Sequence, residues 1–219
     1  QRLMKSGDST AWLFTATSPA EIFGGYASID PNRDLVIAVD SGLERVRVLG
    51  LKPDLIIGDM DSVEPELLQL HPNTTQLRHP ADKNETDTEL ALLWCLNAKV
   101  GEIVICNGLE GRFDHSLALV QNLNFLQTQG FPARIESAWQ KVWFLSPETT
   151  IRACRGCQLS LLAWSGEAKF DDSSGLKYPL DGISLFPQKV RGMSNQVDKE
   201  EATIKLASGI ILAILTKSC

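Results

Sequence analysis

No stretch of the 219 residues reaches the roughly 18 uninterrupted apolar positions of a membrane span, and Gln1 to Thr10 holds no apolar signal core. No membrane partner is expected, and the expected compartment is the cytoplasm. Basic charge is short as well. There are 21 Lys and Arg against 27 Asp and Glu, a net charge of -6, and no basic run is interleaved with aromatics as a nucleic-acid groove requires. That excludes nucleic acid as an expected partner. The five cysteines (Cys95, Cys106, Cys154, Cys157, Cys219) are odd in number and two sit inside apolar helical or strand patterns, so no disulfide framework is expected. Cys154 and Cys157 make a single CxxC, without the second pair that zinc requires or a surrounding thioredoxin-like pattern. The phosphate-binding signature G-x-x-x-x-G-K-[ST] is missing, which excludes an ordinary P-loop enzyme. There is no internal repeat and no low-complexity tract.

What the chain does hold is a 43% hydrophobic content, ample for one large or two modest cores, and a series of short apolar runs that end in polar turns. Leu55-Ile56-Ile57-Gly58 reads as a buried strand, followed by Asp59 and Asp61 at i and i+2, which point the same way in extended backbone. Carboxylates at the carboxyl end of a parallel strand suit Mg²⁺ bound together with phosphate. The alternative is that both acids cap a helix beginning near Ser62. Residues 10–14 and 35–39 read as further buried strands, the second running into Asp40-Ser41-Gly42 and a short helix over Leu43 to Leu49. From Ser62 a helix is expected, with Pro65 in its first turn. After a strand at Thr75 to Arg78, Thr86 and Glu89 make a capping box, so Asp87 lies in a helix's first turn, where the dipole favours an anion and its ligands. A well-capped surface helix is the plainer reading.

Ile103 to Cys106 is another strand, ended by Asn107-Gly108-Leu109-Glu110-Gly111-Arg112-Phe113-Asp114-His115. Its two glycines let backbone approach a ligand, Arg112 offers a planar fork for phosphate, and Asp114 can start the next helix. Alternating strands and helices to about residue 130 predict a mostly parallel, doubly wound α/β sheet covered on both faces. From Ala133 only short strands follow: 133–136, 141–145, 159–164, 167–170, 183–186, 203–206 and 210–215, with Asp171-Asp172 read as a solvated turn. This predicts an antiparallel β-sandwich domain, with the boundary near Ser146-Pro147 and domains of 1–146 and 147–219. Gly175 to Leu180 presents Tyr178 on a loop, and Arg191 to Asn195 forms another polar loop.

The loops carrying Asp40, Asp59 with Asp61, Thr86 with Asp87, and Arg112 with Asp114 converge in a doubly wound sheet. Such an acidic edge accepts a nucleotide only with Mg²⁺, with Lys83 and Arg112 neutralising the remaining phosphate charge. In their order and spacing, these residues resemble the thiamine pyrophosphokinase (thiamin diphosphokinase) family. The resemblance runs from about Trp12 to Leu215. It rests on Asp40-Ser41-Gly42, the run from Pro53 to Ser62, Lys83-x-x-Thr86-Asp87-x-Glu89, Gly108-x-x-Gly111-Arg112-Phe113-Asp114-His115, Gly175 to Leu180, and Ser194-Asn195.

The resemblance implies transfer of a diphosphate from ATP to the hydroxyethyl oxygen of thiamine, with release of AMP. It implies a catalytic α/β domain for ATP and Mg²⁺, a β-sandwich for thiamine and dimerisation, and a homodimer with thiamine between one subunit's α/β domain and the other's β domain. Asp59, Asp61 and Asp87 would hold Mg²⁺. Asp40, Ser41, Gly42, Lys83, Thr86, Arg112, Asp114 and His115 would line the nucleotide, and Tyr178, Ser194 and Asn195 would face thiamine. Catalysis would fall to Asp61, Asp87, Arg112 and Asp114, with Asp61 or Asp87 taking the thiamine proton. Two positions depart from the family's usual pattern: Asn84 stands where an Asp is common, and Leu119 where bacterial members often carry Asn. The rival expectations are a diphosphokinase for another small alcohol such as a pterin, a haloacid-dehalogenase-like phosphatase built on Asp59-x-Asp61-Ser62, and a non-catalytic thiamine-binding protein.

Overall fold

The structure, a computed structural model that describes residues 7–80, 82 and 84–218, divides into two compact units, Gln1–Ala138 and Trp139–Cys219. The first unit runs β1 (Thr10–Phe14), β2 (Leu35–Val39), α1 (Gly42–Val48), β3 (Leu55–Gly58), α2 (Pro65–Gln69), β4 (Thr75–Arg78), α3 (Asp87–Ala98), β5 (Glu102–Cys106), α4 (Phe113–Thr128) and β6 (Ala133–Glu136). Its strands are parallel, in the order β6-β5-β1-β2-β3-β4.

The sequence dictates this layering. Strand β2 is buried at every position, as a strand covered on both faces must be. Trp12, Phe14, Val36, Ala38, Ile56, Val104 and Cys106 share one face and pack with Leu43 and Val46 of α1 and Leu67 and Leu68 of α2. Right-handed crossovers put α1 and α2 on that side while strands are added from β2 to β4. The reversal after β4 then sends α3 and α4 to the opposite side, over buried Leu13, Ile37, Ile57 and Ile105. Each fully buried side chain such as Phe14 or Leu92 stabilises the fold by about 1.5–3 kcal/mol.

An internal cluster of charges is also satisfied. Arg134 ion-pairs with Glu102 and Glu136 and lies 5.8 Å from the Trp12 ring centroid, while Glu136 accepts the Gly24 N–H at 2.8 Å.

The strand order has a functional consequence. New strands are added first on the β2 side of β1 and then, after α3, on its β5 side. That reversal opens a crevice beyond the carboxyl ends of β1, β2 and β5.

The second unit comprises β7 (Gln140–Phe144), β8 (Glu148–Arg152), β9 (Gln158–Ala163), β10 (Ala168–Ser174), β11 (Ser184–Leu185), β12 (Asn195–Gln196), β13 (Glu201–Ser208) and β14 (Ile211–Thr216). They form two antiparallel sets, β12-β9-β14-β7 and β11-β10-β13-β8. The fold class is therefore the expected α/β sheet followed by an antiparallel β domain.

Details differ from the sequence reading. The division falls after Ala138 rather than at 146/147, because β7 pairs along β14, with Trp143 opposite Ala213. The Asp171-Asp172 turn is part of β10. Phe170 pairs with Leu206 and Asp172 with Lys205, so Asp171 is the extra residue of a β-bulge and both acids stay exposed. Strand β8, too polar to stand out, buries only Ile151.

Cys95, Cys106, Cys154 and Cys157 are free thiols. Among the described residues no helix is long and apolar enough to cross a membrane.

Candidate active site

The crevice is built from strand ends that crowd each other. Asp40 follows β2 in the left-handed region, at φ 46°. Its N–H donates to the Ile57 carbonyl at 3.0 Å, and its carbonyl accepts the Leu43 N–H at 3.1 Å, which starts α1. Gly42 is required there, because a Cβ would lie 1.9 Å from the Phe14 carbonyl oxygen. Gly58, at φ 146°, closes β3 beneath the Asp40 carboxylate. A Cβ on it would come within 1.7 Å of Asp40 Oδ1.

Beyond Gly58 the backbone does not stay extended. Met60 takes φ 65°, its N–H donates to Asp40 Oδ1 at 3.3 Å, and the Asp61 N–H donates to Asp59 Oδ1 at 2.9 Å. The expectation that Asp59 and Asp61 point the same way from an extended strand is thus corrected. The turn at Met60 separates them, Asp61 is exposed, and Asp59 is half-buried beside Asp40. A non-glycine residue in the left-handed region costs of order 1–3 kcal/mol, and two of them sit at this edge.

The opposite wall is the start of α3. Thr86 is its N-cap, with Oγ1 accepting the Glu89 N–H at 3.1 Å, as the T-x-x-E spacing predicted. That cap sets Asp87 in the first turn, where its carboxyl group hydrogen-bonds that of Asp40. Burial, then this hydrogen bond and the Asp87 charge, push the Asp40 carboxyl up from 3.8 to about 7, with Asp59 adding to the repulsion and the Met60 N–H opposing it.

The third wall combines the β1 and β5 loops with α4. Thr15 Oγ1 and Ser18 Oγ both donate to the Cys106 carbonyl, at 3.0 and 2.7 Å. Asn107 Nδ2 donates to Thr15 Oγ1 at 2.9 Å, and the Gly108 N–H donates to the Thr17 carbonyl at 2.8 Å. Gly108 therefore serves the approach of one loop to the other: a Cβ would sit 3.0 Å from the Thr17 carbonyl oxygen. Helix α4 begins at Phe113, with Arg112 as N-cap and Asp114 inside the first turn, so Asp114 does not cap it. Arg112 Nε and Nη2 grip Asp114 Oδ1 and Oδ2 at 3.1 and 2.5 Å, which holds the Asp114 carboxyl below its usual range. Both side chains are exposed, so this pairing is exchangeable and a phosphate can compete for the guanidinium.

Together these walls enclose a cavity of about 560 Å³. It brings together Asp40, Ser41, Thr86, Asp87, Arg112 and His115 of the residues expected from sequence. It also takes in residues to which the sequence reading gave no role: Thr15, Ala16 and Thr17 after β1, Ser62, Thr88, Asn107, Glu110, Ser116 and Asn122. The available signal was the hydroxyl-rich Thr15-Ala16-Thr17-Ser18 run directly after a buried strand. Gly42 and Asp114 do not line it, and Asp59 and Asp61 lie on the adjoining turn. Lys83 falls outside the described residues. Among the described residues, no three His, Cys, Asp or Glu side chains gather into a metal-holding set, so Asp59, Asp61 and Asp87 do not form one here. The donor chemistry nonetheless fits Mg²⁺. It consists of hard carboxylate oxygens, two of which are held so close that they share a proton where a cation would serve, and Mg²⁺ takes one or two protein carboxylates beside phosphate and water.

In the second unit, Asn195 is buried. Its Oδ1 accepts the N–H groups of Tyr178 and Gln196 at 3.1 and 2.8 Å, and its Nδ2 donates to the Tyr178 carbonyl at 2.8 Å. That makes Asn195 the clamp of the Tyr178 loop, with one Nδ2–H left over from these bonds. Tyr178 itself is 58% exposed, with Lys177 Nζ 5.6 Å from its ring centroid. Ser194 is exposed at φ 57°, its N–H donating to Ser160 Oγ at 3.2 Å.

Known proteins resemble this chain in sequence and fold. The thiamine pyrophosphokinase of Bacillus subtilis is 26% identical over 203 residues, covering 91% of this chain and 95% of its own. Thiamin pyrophosphokinase 1 of Caenorhabditis elegans is 24% identical over 190 residues, covering 74% of this chain and 70% of its own. In fold, the crystal structure of the Bacillus subtilis protein superposes with a TM-score of 0.84 at 23% identity, covering 96% of this chain and all of that one. The yeast thiamin pyrophosphokinase structure gives 0.72 at 17% identity, covering 98% of this chain and 89% of its own. The family model for the thiamin pyrophosphokinase catalytic domain matches residues 26–135, half of the chain, and that for the vitamin B1 binding domain matches residues 148–211. With both domain models met in order on the two units, the chain belongs to the thiamin pyrophosphokinase family.

Proposed function

We propose that the first unit binds ATP together with magnesium in the 560 Å³ cavity and passes its terminal diphosphate to the hydroxyethyl oxygen of thiamine, leaving AMP. The observation that carries this reading is the Asp40–Asp87 carboxyl pair at the sheet's switch point, lining one cavity with Arg112 and His115. The close carboxyl pair of Asp40 and Asp87 would hold the metal, with Asp59 and Asp61 on the adjoining turn and phosphate and water completing its shell. When bound, it neutralises charge on the phosphate oxygens.

The protein's own groups do the rest. Arg112 leaves Asp114 to bind phosphate, and backbone N–H groups at the starts of α3 and α4 orient it. Asp61, exposed on the adjoining turn, would take the proton from the thiamine hydroxyl late in the transfer. Closing reactants in register supplies most of the rate. In the second unit, Tyr178 offers its ring face to the cationic heterocycle of thiamine, with Ser194 beside it, and Asn195 holds that loop still. Two copies assemble as a homodimer.

The test mixes protein, ATP, MgCl₂ and thiamine and identifies the products. AMP with thiamine diphosphate is expected, and none without the divalent ion. ADP or orthophosphate as the product would sink the diphosphotransfer reading. A single-subunit mass by light scattering would sink the dimer.

A further inference from the structure

Helix α4 lines the cavity over most of its first half. Arg112, its N-cap, and His115 stand at one end and Asn122 at the other, with Ala118 and Leu119 between. From His115 to Asn122 the axis advances about 10 Å at about 1.5 Å per residue. That distance separates two kinds of surface. Of the charged groups, Asp40, Asp87, Arg112 and the Glu110 that precedes it belong to the helix-start end, whereas the stretch of α4 reaching Asn122 offers two aliphatic side chains and one uncharged carboxamide.

A nucleotide whose phosphates engage the charged end must lay its base along Ala118 and Leu119. Among the described residues no Phe, Tyr or Trp lines the cavity and His115 stands at the helix-start end, so the base lying along Ala118 and Leu119 is not gripped by stacking and its identity has to be read at its polar edge. Asn122 is half-buried, and its carboxamide makes no hydrogen bond to any described residue. A carboxamide presents a donor and an acceptor side by side, the complement of adenine's N6 amino group and N7. Guanine shows two acceptors at that edge.

We infer that Asn122 is the specificity-determining residue for the nucleoside triphosphate, reading the base as a 6-aminopurine. The inference rests on the reading of this cavity as the ATP site.

The experiment is steady-state kinetics at saturating thiamine and magnesium, with ATP and with GTP, for the wild type and Asn122→Leu. Asn122→Asp serves as an isosteric variant in case the leucine disturbs folding. The expected result for Asn122→Leu is a KM for ATP raised about tenfold, kcat within about twofold, an unchanged KM for thiamine, and an ATP-over-GTP preference reduced about tenfold. Asn122→Asp, which loses the donor to N7 but keeps an oxygen that accepts from the 6-amino group, should raise the KM for ATP while still discriminating against GTP. An unchanged KM for ATP together with an unchanged preference in both variants overturns the inference. Should the wild type form no AMP, the diphosphotransfer reading fails separately. Calorimetric titration with ATP and GTP then decides the matter: tighter binding of ATP that depends on Asn122 supports the inference, and equal affinities in the wild type overturn it.

Discussion

The two units place their functional side chains by opposite means. In the first, reactive groups are left under tension at the ends of apolar strands: Asp40 and Met60 sit at positive φ, and Asp40 shares a proton with Asp87. In the second, positive φ is confined to Ser194 among the candidate site residues, and the exposed Tyr178 is held by a buried neighbour, Asn195, whose amide clamps the loop in place. One site stores electrostatic stress that a ligand relieves, and the other is rigid before anything arrives.

The largest expected effect tests the stressed side. Asp87→Asn should lower kcat by at least about a hundredfold while leaving the melting temperature of the metal-free protein unchanged or raised, since it removes a repulsive partner of Asp40. A near wild-type rate would take Asp87 out of the chemistry. On the rigid side, Asn195→Ala leaves the N–H groups of Tyr178 and Gln196 without their acceptor, costing about 1–3 kcal/mol of stability, and it should raise the KM for thiamine well above any change in the KM for ATP. Equal changes in both would mean that the loop does not belong to the acceptor.

The smallest effect is a matter of pH. The folded Asp40 carboxyl, at about 7, keeps a proton that the unfolded chain gives up near 3.8, so the folded state binds more protons between those values and loses stability as pH rises through them. Thermal melting of the metal-free, nucleotide-free protein should therefore fall between about pH 5 and pH 8, and Asp40→Asn should flatten that slope. A variant with the wild-type slope would place the stress elsewhere.

The same contrast explains what could be read from sequence. Strands β1, β2 and β4 were legible to the residue, because β1 and β2 are uninterrupted apolar runs and β4 is marked off by turns. The capped start of α3 was legible because Thr86 and Glu89 carry its chemistry locally. The separation of Asp59 from Asp61 was not, since methionine gives no sign that it will adopt φ 65°. That conformation is imposed by Asp40 accepting the Met60 N–H from another strand end. Thr15 to Thr17 went unnoticed because hydroxyl side chains acquire meaning only once the strand order puts β1 at the switch point. In the second unit, Asp171-Asp172 looked like a turn because a bulge inside a strand needs the partner strand to reveal it.

The fit of Gly58 beneath Asp40 binds the histories of these two positions together. Any side chain at position 58 meets a carboxylate at position 40, so replacements accumulate there only in lineages where residue 40 has first become smaller or has turned away. Across diverged members the pair should therefore covary, with glycine at 58 wherever an acid is kept at 40.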